Sequence, residues 1–167
     1  MEFHVGDPVM HWTYGLGNII GLEERSISGE KNLYYKVGIK DLTLWVPADG
    51  QVGNRLRPPT SAAGFKNLFS ILAGSGEPLP DDRHERKLQL VEWLKDGRAE
   101  SLCRVIRDLS TYQQVRPLNE TDQNLMKRAR NALLGEWGFV LSVSVMDAET
   151  ELRRILTSAS AGEQVKQ

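Results

Sequence analysis

The pattern of hydrophobic and polar residues changes near Arg57. Before this point, short runs rich in β-branched and aromatic residues are separated by turn-forming pairs such as Asp7–Pro8 and Ser28–Gly29. This spacing predicts a small, strongly bent antiparallel β-barrel of the SH3 or Tudor type. The predicted strands are Val9 to Trp12, Asn18 to Glu23, Leu33 to Ile39 and Leu42 to Val46.

Helical periodicity follows the pair Pro58–Pro59. Apolar residues then recur at three- and four-residue steps, which predicts an all-α bundle of about five helices. Asp82 and Asn119 are expected N-caps, and the last helix is expected from Asp147 to Leu156. We therefore predict a multi-domain chain, β then α, with residues 1–57 as the barrel, 58–64 as a linker, 65–160 as the helical domain and 161–167 as a flexible tail.

Composition narrows the class of protein. The 167 residues are 40% hydrophobic and 26% charged with a net charge of -1, which is typical of a globular chain. No apolar run reaches the roughly 20 residues of a membrane span. The lone Cys103 excludes an internal disulfide and favours a cytoplasmic location. The three histidines do not have zinc-ligand spacing, so we expect no metal.

Candidate enzyme motifs are weak. Gly15-Leu16-Gly17 suggests a phosphate loop, but the third glycine is missing and a strand, not a helix, follows. We interpret it as a strand bend in which glycine allows close backbone approach. Cys103 adjoins an apolar stripe and is interpreted as a small packing residue. We expect neither an enzyme nor a cofactor.

Basic residues are concentrated between Arg83 and Arg130. This segment has eleven Lys and Arg against seven Asp and Glu, a local difference of +4. Arg83, Arg86 and Lys87 have i, i+3, i+4 spacing, which predicts that they share one face of a helix. The fourth predicted helix contributes three more basic residues. Such a surface can neutralise DNA phosphates, although a solvated face with ion pairs explains the charge pattern equally well. The predicted DNA-binding residues are Arg83, Arg86, Lys87, Lys127, Arg128 and Arg130.

Aromatic residues in the β region suggest a protein-binding surface. Tyr34 and Tyr35 are consecutive, so only one can face the core of a sheet. An exposed aromatic side chain is a typical interface anchor. An open barrel edge could instead accept a strand from a partner.

An ordered set of short motifs resembles the CarD/CdnL family of bacterial transcription regulators. No single motif is specific, but both halves of the chain contribute in order. In the first half the residues are Phe3 to Val9, Tyr14 to Gly17, Arg25 to Gly29, Tyr34-Tyr35, Val46-Pro47 and Leu56-Arg57. In the second they are Lys95 to Gly97, Val105 to Leu109, Lys127 to Arg130 and Leu134 to Glu136. The first half also resembles the polymerase-interaction domain of transcription-repair coupling factors.

The resemblance implies a non-enzymatic regulator with two binding domains. A Tudor-like domain would bind the β subunit of RNA polymerase, and a helical domain would contact promoter DNA at the upstream edge of the melting bubble. It would act as a monomer that modulates open-complex stability, in the cytoplasm with the polymerase. The residues expected to contact polymerase are Arg25, Ile27, Tyr34 and Trp45.

Three positions depart from the family pattern. Trp45 falls where another basic polymerase contact would be expected, so an apolar contact is expected there instead. Arg83 occupies the place where well-known members carry a tryptophan wedge, an apolar insertion that exploits base unstacking. Arginine can bind phosphate or stack on a base, but it is not such a wedge. Gln123 lacks the basic charge of some relatives. The alternative function is therefore a protein-interaction module of the transcription machinery without direct DNA contact.

Overall fold

The computed structural model describes the backbone of residues 2–165 and the side chains of residues 2–159. Its backbone contacts divide the chain after Pro59 into two compact units, here called the β unit and the helical unit. An antiparallel sheet precedes the helices, which confirms the predicted fold class.

Five strands of the β unit form one antiparallel sheet in the order β4-β3-β2-β1-β5. The register between β2 and β3 shifts at Ile19 and Gly21, and such a bulge bends a strand and increases its twist. A short 3-10 turn over Val52–Asn54 leads into the last strand. The strands are β1 (Pro8–His11), β2 (Gly15–Ile27), β3 (Glu30–Ile39), β4 (Leu42–Pro47) and β5 (Leu56–Arg57).

The core of the β unit lies on one face of this sheet. The hydroxyl of Tyr35 accepts a hydrogen bond from the backbone N–H of Phe3 at 3.1 Å, and the two rings meet edge to face. Tyr34, next in sequence, lies on the opposite face and is half-buried, which confirms that only one of the two tyrosines faces inward. The buried residues are Phe3, Val9, Ile19, Tyr35, Val37, Ile39, Val46, Val52 and Leu56.

The glycine motif at residues 15–17 begins strand β2. Gly15 has a φ of +86°, a conformation that glycine adopts without steric cost. An ideal Cβ at Gly17 would lie 2.5 Å from Cγ1 of Ile39 and 2.6 Å from the carbonyl oxygen of Gly38. The motif therefore permits close packing of neighbouring strands, and its interpretation as a strand rather than a phosphate loop is confirmed.

Within residues 60–165 the chain forms five helices. Asp82 caps α2 by accepting hydrogen bonds from the backbone N–H groups of His84 and Glu85. Asn119 caps α4 in a reciprocal capping box with Asp122, so both predicted N-caps are confirmed. The helices are α1 (Phe65–Ala73), α2 (Arg83–Lys95), α3 (Ala99–Val115), α4 (Glu120–Val140) and α5 (Val145–Val165).

Apolar side chains from all five helices share one core. Cys103 is fully buried in it, as expected of a small packing residue. Trp137 is buried against Phe65 and Phe69, with the Phe69 ring centroid 4.8 Å away. The largest fully buried side chains of this core are Phe65, Leu68, Leu72, Leu90, Ile106, Leu109, Leu133 and Leu152.

Helix α5 is longer than the sequence predicts. It continues past Leu156 to Val165, so the predicted tail of residues 161–167 is helical over most of its length. The intervening residues contain no proline, and their one glycine, Gly162, costs only about 1 kcal/mol relative to alanine, so nothing in them forces the helix to end. Residues 166–167 of the predicted tail lie outside the described residues.

Candidate functional site

The four residues predicted to contact polymerase share one face of the β-sheet. Directly paired residues point to the same side, and the register pairs Glu23 with Tyr34 and Lys36 with Trp45. Residues two apart along a strand also share a face. The face opposite the core, here called the outer face, therefore includes Arg25, Ile27, Tyr34 and Trp45.

Four polar and aromatic side chains on the outer face form a connected cluster. The Arg25 guanidinium carbon lies 4.2 Å from the centre of the Trp45 ring, a cation–π arrangement. The indole N–H of Trp45 donates to Oε2 of Glu23 at 2.9 Å, while Nζ of Lys36 lies 3.6 Å from Oε1 of the same carboxylate. We call Glu23, Arg25, Lys36 and Trp45 the tryptophan cluster.

The tryptophan cluster presents a preorganised aromatic surface to solvent. Trp45 is 39% exposed and Ile27 is 52% exposed. The indole hydrogen bond, together with the neighbouring Lys36 and Arg25, lowers the pKa of Glu23, so this carboxylate stays ionised and continues to hold the ring. Exposed tryptophan and arginine side chains of fixed orientation are typical anchors of protein interfaces.

Sequence reasoning did not identify Glu23 and Lys36 as members of this cluster. Strand alternation places Glu23 and Arg25 on the same side of β2, and this signal is present in the sequence. The pairing of Lys36 with Trp45 depends on the registers between β2, β3 and β4. These registers follow from turn geometry and the bulge near Gly21, which the residue pattern alone does not locate.

The prediction of one exposed basic face on α2 is wrong for Arg86. This side chain is 3% exposed, and Nε and Nη2 donate to the two carboxylate oxygens of Asp122 at 2.9 Å each. Arg86 lies four residues before Leu90 and eight before Leu94, so it continues the buried stripe of the helix. A buried guanidinium with these partners is not available to DNA phosphates.

Arg83 and Lys87 are exposed and line a shared cleft. The cleft has a volume of about 310 Å³ and lies between the starts of α2 and α4, so we call it the helix-start cleft. The N-terminal ends of both helices contribute partial positive charge there. Its lining residues are Arg83, His84, Lys87, Asn119, Glu120 and Thr121.

The three basic residues of α4 lie away from the helix-start cleft. Lys127 and Arg130 line a separate groove of about 400 Å³, whose wall also includes Glu149. Nη2 of Arg130 lies 3.5 Å from Oε1 of Glu149, which partly neutralises it, and Arg128 is half-buried. Five of the six predicted DNA-binding residues are thus divided among an interior ion pair, one cleft and one groove, and Arg128 lines neither the cleft nor the groove.

Other kinds of site find little support in the part of the chain that the structure describes. No group of His, Cys, Asp and Glu side chains among these residues has the arrangement needed to hold a metal ion. None of the helices there combines the length and the apolar character that a membrane span requires. The cationic helix-start cleft and the tryptophan cluster are the two candidate sites that the geometry provides.

Comparisons with known proteins match both units. Residues 3–58 match the family described as CarD-like/TRCF RID domain. Residues 67–153 match the family described as CarD, C-terminal domain. The chain is also 25% identical over 137 residues to YdeB of Bacillus subtilis (strain 168), a protein named for a role as a transcription factor; the match covers 80% of this chain and 89% of that protein.

Proposed function

The chain belongs to the CarD/CdnL family of bacterial RNA polymerase-binding transcription regulators, and from this premise we propose that it binds two partners at once. The β unit docks on the polymerase β subunit through the outer face of its sheet. The helical unit contacts promoter DNA through the helix-start cleft, at the upstream edge of the melting bubble. Together these contacts change the stability of the open complex.

Support for polymerase docking comes from the tryptophan cluster. All four residues that the family resemblance implicates lie on one face, and Trp45 is held there by Arg25 and Glu23. A side chain that is already ordered loses less conformational entropy on binding than a free one. This face therefore combines an aromatic anchor, a guanidinium and an exposed Ile27 in a fixed arrangement.

Support for DNA contact comes from the helix-start cleft. Arg83 and Lys87 are exposed, and neither forms an ion pair with any residue that the structure describes. The caps of both helices already accept N-terminal backbone N–H groups, so the proposed phosphate contact is made by these two side chains. Among the lining residues, these two cations face a single carboxylate, that of Glu120.

Tethering explains how so small a cationic surface affects a promoter. Attachment through the β unit raises the local concentration of the helical unit near DNA to the millimolar range. Phosphate contacts of this kind position a protein without reading base sequence. The proposal accordingly needs no sequence-specific recognition helix, no cofactor and no second copy of the chain, and it places the protein in the cytoplasm with the polymerase.

The observation that favours the alternative function is the burial of Arg86. With one of the predicted cations in the interior and Arg130 paired to Glu149, the helical unit could serve as a protein-interaction module without DNA contact. The two functions differ in their response to salt. Phosphate binding weakens steeply as salt rises, whereas binding through an apolar surface does not.

Two binding measurements on the full chain test the proposal. The first is a pull-down with isolated fragments of the polymerase β subunit. We expect Arg25→Glu to abolish capture of the chain. The control is Arg104→Glu, at an exposed position of α3, which should leave capture intact. The second is fluorescence anisotropy with duplex DNA at several salt concentrations. We expect weak binding with a steep salt slope; flat or absent binding would favour the interaction module.

A further inference from the structure

Arg86 joins four segments of the helical unit. Besides its two bonds to Asp122, its Nη1 donates to the carbonyl oxygens of Pro80 and Asp81 and to the hydroxyl of Tyr112, each at 3.1 Å. The guanidinium carbon also lies 4.7 Å from the centre of the Tyr112 ring. One buried side chain therefore ties α2 to α3, to α4 and to the loop that precedes α2.

Asp122 connects this network to the start of α4. Its Oδ2 accepts the bond from Arg86 Nη2 and also the backbone N–H of Asn119 at 3.2 Å. The side chain of Asn119 in turn accepts the backbone N–H of Asp122 at 2.8 Å. Because the same carboxylate completes the capping box and binds Arg86, the first turn of α4 cannot shift without changing the ion pair.

The exposed groups of the helix-start cleft flank this interior pair. Arg83 precedes Arg86 by three residues and Lys87 follows it by one, while Asn119 and Glu120 lie just before Asp122. The ion pair therefore lies between the two helix starts whose outer surfaces form the cleft. We propose that Arg86 is a positioning residue that sets the separation of Arg83 and Lys87 from the start of α4, an inference that rests on the proposed DNA contact.

Lysine would not reproduce this arrangement. The planar guanidinium makes two parallel bonds to one carboxylate and still offers a nitrogen to three further oxygens. A lysine ammonium has three donors at one point and no fork. Arg86→Lys thus keeps the charge and most of the volume but loosens α2 relative to α4.

A double-mutant cycle with Arg83 tests the positioning role. Affinity of the full chain for duplex DNA is measured by fluorescence anisotropy at low salt for wild type, Arg86→Lys, Arg83→Ala and the double variant. We expect Arg86→Lys to weaken binding roughly tenfold in the wild-type background and by less than about twofold in the Arg83→Ala background. Arg104→Lys, at an exposed position of α3, is the matched control and should have no effect.

Several outcomes distinguish the claims. If Arg86→Lys lowers DNA affinity equally in both backgrounds, or in neither, the positioning role is wrong but the proposed DNA contact is unaffected. An unchanged affinity for Arg83→Ala alone would overturn the DNA contact, and the positioning role with it. Circular dichroism at 222 nm checks that each variant is folded. If Arg86→Lys does not fold, Asp122→Asn takes its place, because it weakens the same ion pair from the carboxylate side. Its effect on DNA affinity should depend on Arg83 in the same way.

Discussion

Arg86 and Asp122 form a bidentate ion pair in the interior of the helical unit. Both donor–acceptor distances are 2.9 Å, and the two residues are 3% and 1% exposed. The hydrogen bonds that Arg86 donates to Asp122 raise the pKa of Arg86 further above its ordinary value, so the guanidinium keeps its charge in the interior. The two residues are 36 positions apart in sequence, and their pair joins α2 to α4.

Removal of one partner of this pair should destabilise the helical unit strongly. Asp122→Ala leaves a buried guanidinium without its carboxylate, and we expect a loss of about 3–5 kcal/mol in the free energy of unfolding. Urea denaturation followed by circular dichroism at 222 nm measures this. The double variant Arg86→Met/Asp122→Leu should lose less stability than the sum of the losses in Arg86→Met and in Asp122→Leu, and a strictly additive result would contradict the coupling.

Glu23 should matter to polymerase binding and its neighbour Glu24 should not. Glu23→Ala frees the indole of Trp45 and disorders the tryptophan cluster, whereas Glu24 points to the opposite side of β2. Both changes remove one negative charge from exposed sheet. We expect Glu23→Ala to lower the affinity for a β-subunit fragment roughly fivefold, or about 1 kcal/mol, and Glu24→Ala to leave it unchanged. Isothermal titration calorimetry measures both affinities. Equal effects of the two variants would exclude the outer face as the docking surface.

The β unit should lose stability as the pH falls below about 6.5. Nδ1 of His11 accepts the backbone N–H groups of Thr13 and Tyr14 at 3.0 and 3.3 Å, which requires a neutral ring. Partial burial lowers the pKa of His11 below its ordinary 6.5. The unfolded chain therefore takes up the proton first as the pH falls, and the stabilisation is lost between 6.5 and the lower folded-state pKa.

The variant His11→Asn isolates this pH dependence. An asparagine side chain can accept the same two turn N–H groups but does not titrate. Thermal melts of wild type and variant between pH 5 and 8, followed through sheet amide signals in NMR spectra, should show the decline only in wild type. A decline of equal size in both proteins would assign it to another group.

Gly17 and Gly21 should respond differently to alanine. A Cβ at Gly17 would overlap Ile39 and the carbonyl of Gly38, whereas at Gly21 its nearest neighbour is Cβ of Lys36 at an ordinary 3.7 Å. We expect Gly17→Ala to destabilise the β unit by about 1–3 kcal/mol and Gly21→Ala by less. Hydrogen exchange at the β3 amides reports the difference, and equal protection in both variants would contradict the close approach at Gly17.

The sequence predicts those features that depend on local chemistry. The N-caps Asp82 and Asn119, the burial of Cys103 and the opposite orientation of Tyr34 and Tyr35 all follow from residue type and the period of the element. Features that depend on a distant partner are not predicted. The i, i+3, i+4 spacing places Arg83, Arg86 and Lys87 on one side of α2, but it does not indicate which of them packs against the other helices.

Arg86 illustrates this limit. Its place on the stripe of Leu90 and Leu94 is visible in the sequence, since these residues follow it at four-residue steps. An arginine at such a position is ordinarily expected to be exposed, because burying a charge is costly without a partner. The partner is Asp122 on another helix, and only the packing of α2 against α4 brings the two together.

The most direct test of the proposed function is promoter opening with Arg83→Glu/Lys87→Glu. Both residues are exposed in the helix-start cleft, so the variant should fold, and the outer face of the β unit is unaltered. Open-complex formation is followed with a fluorescent promoter while affinity for the polymerase is measured in parallel. We predict that the variant binds polymerase with wild-type affinity but no longer changes open-complex stability. A variant that retains the wild-type effect on promoter opening would contradict the DNA-contact role.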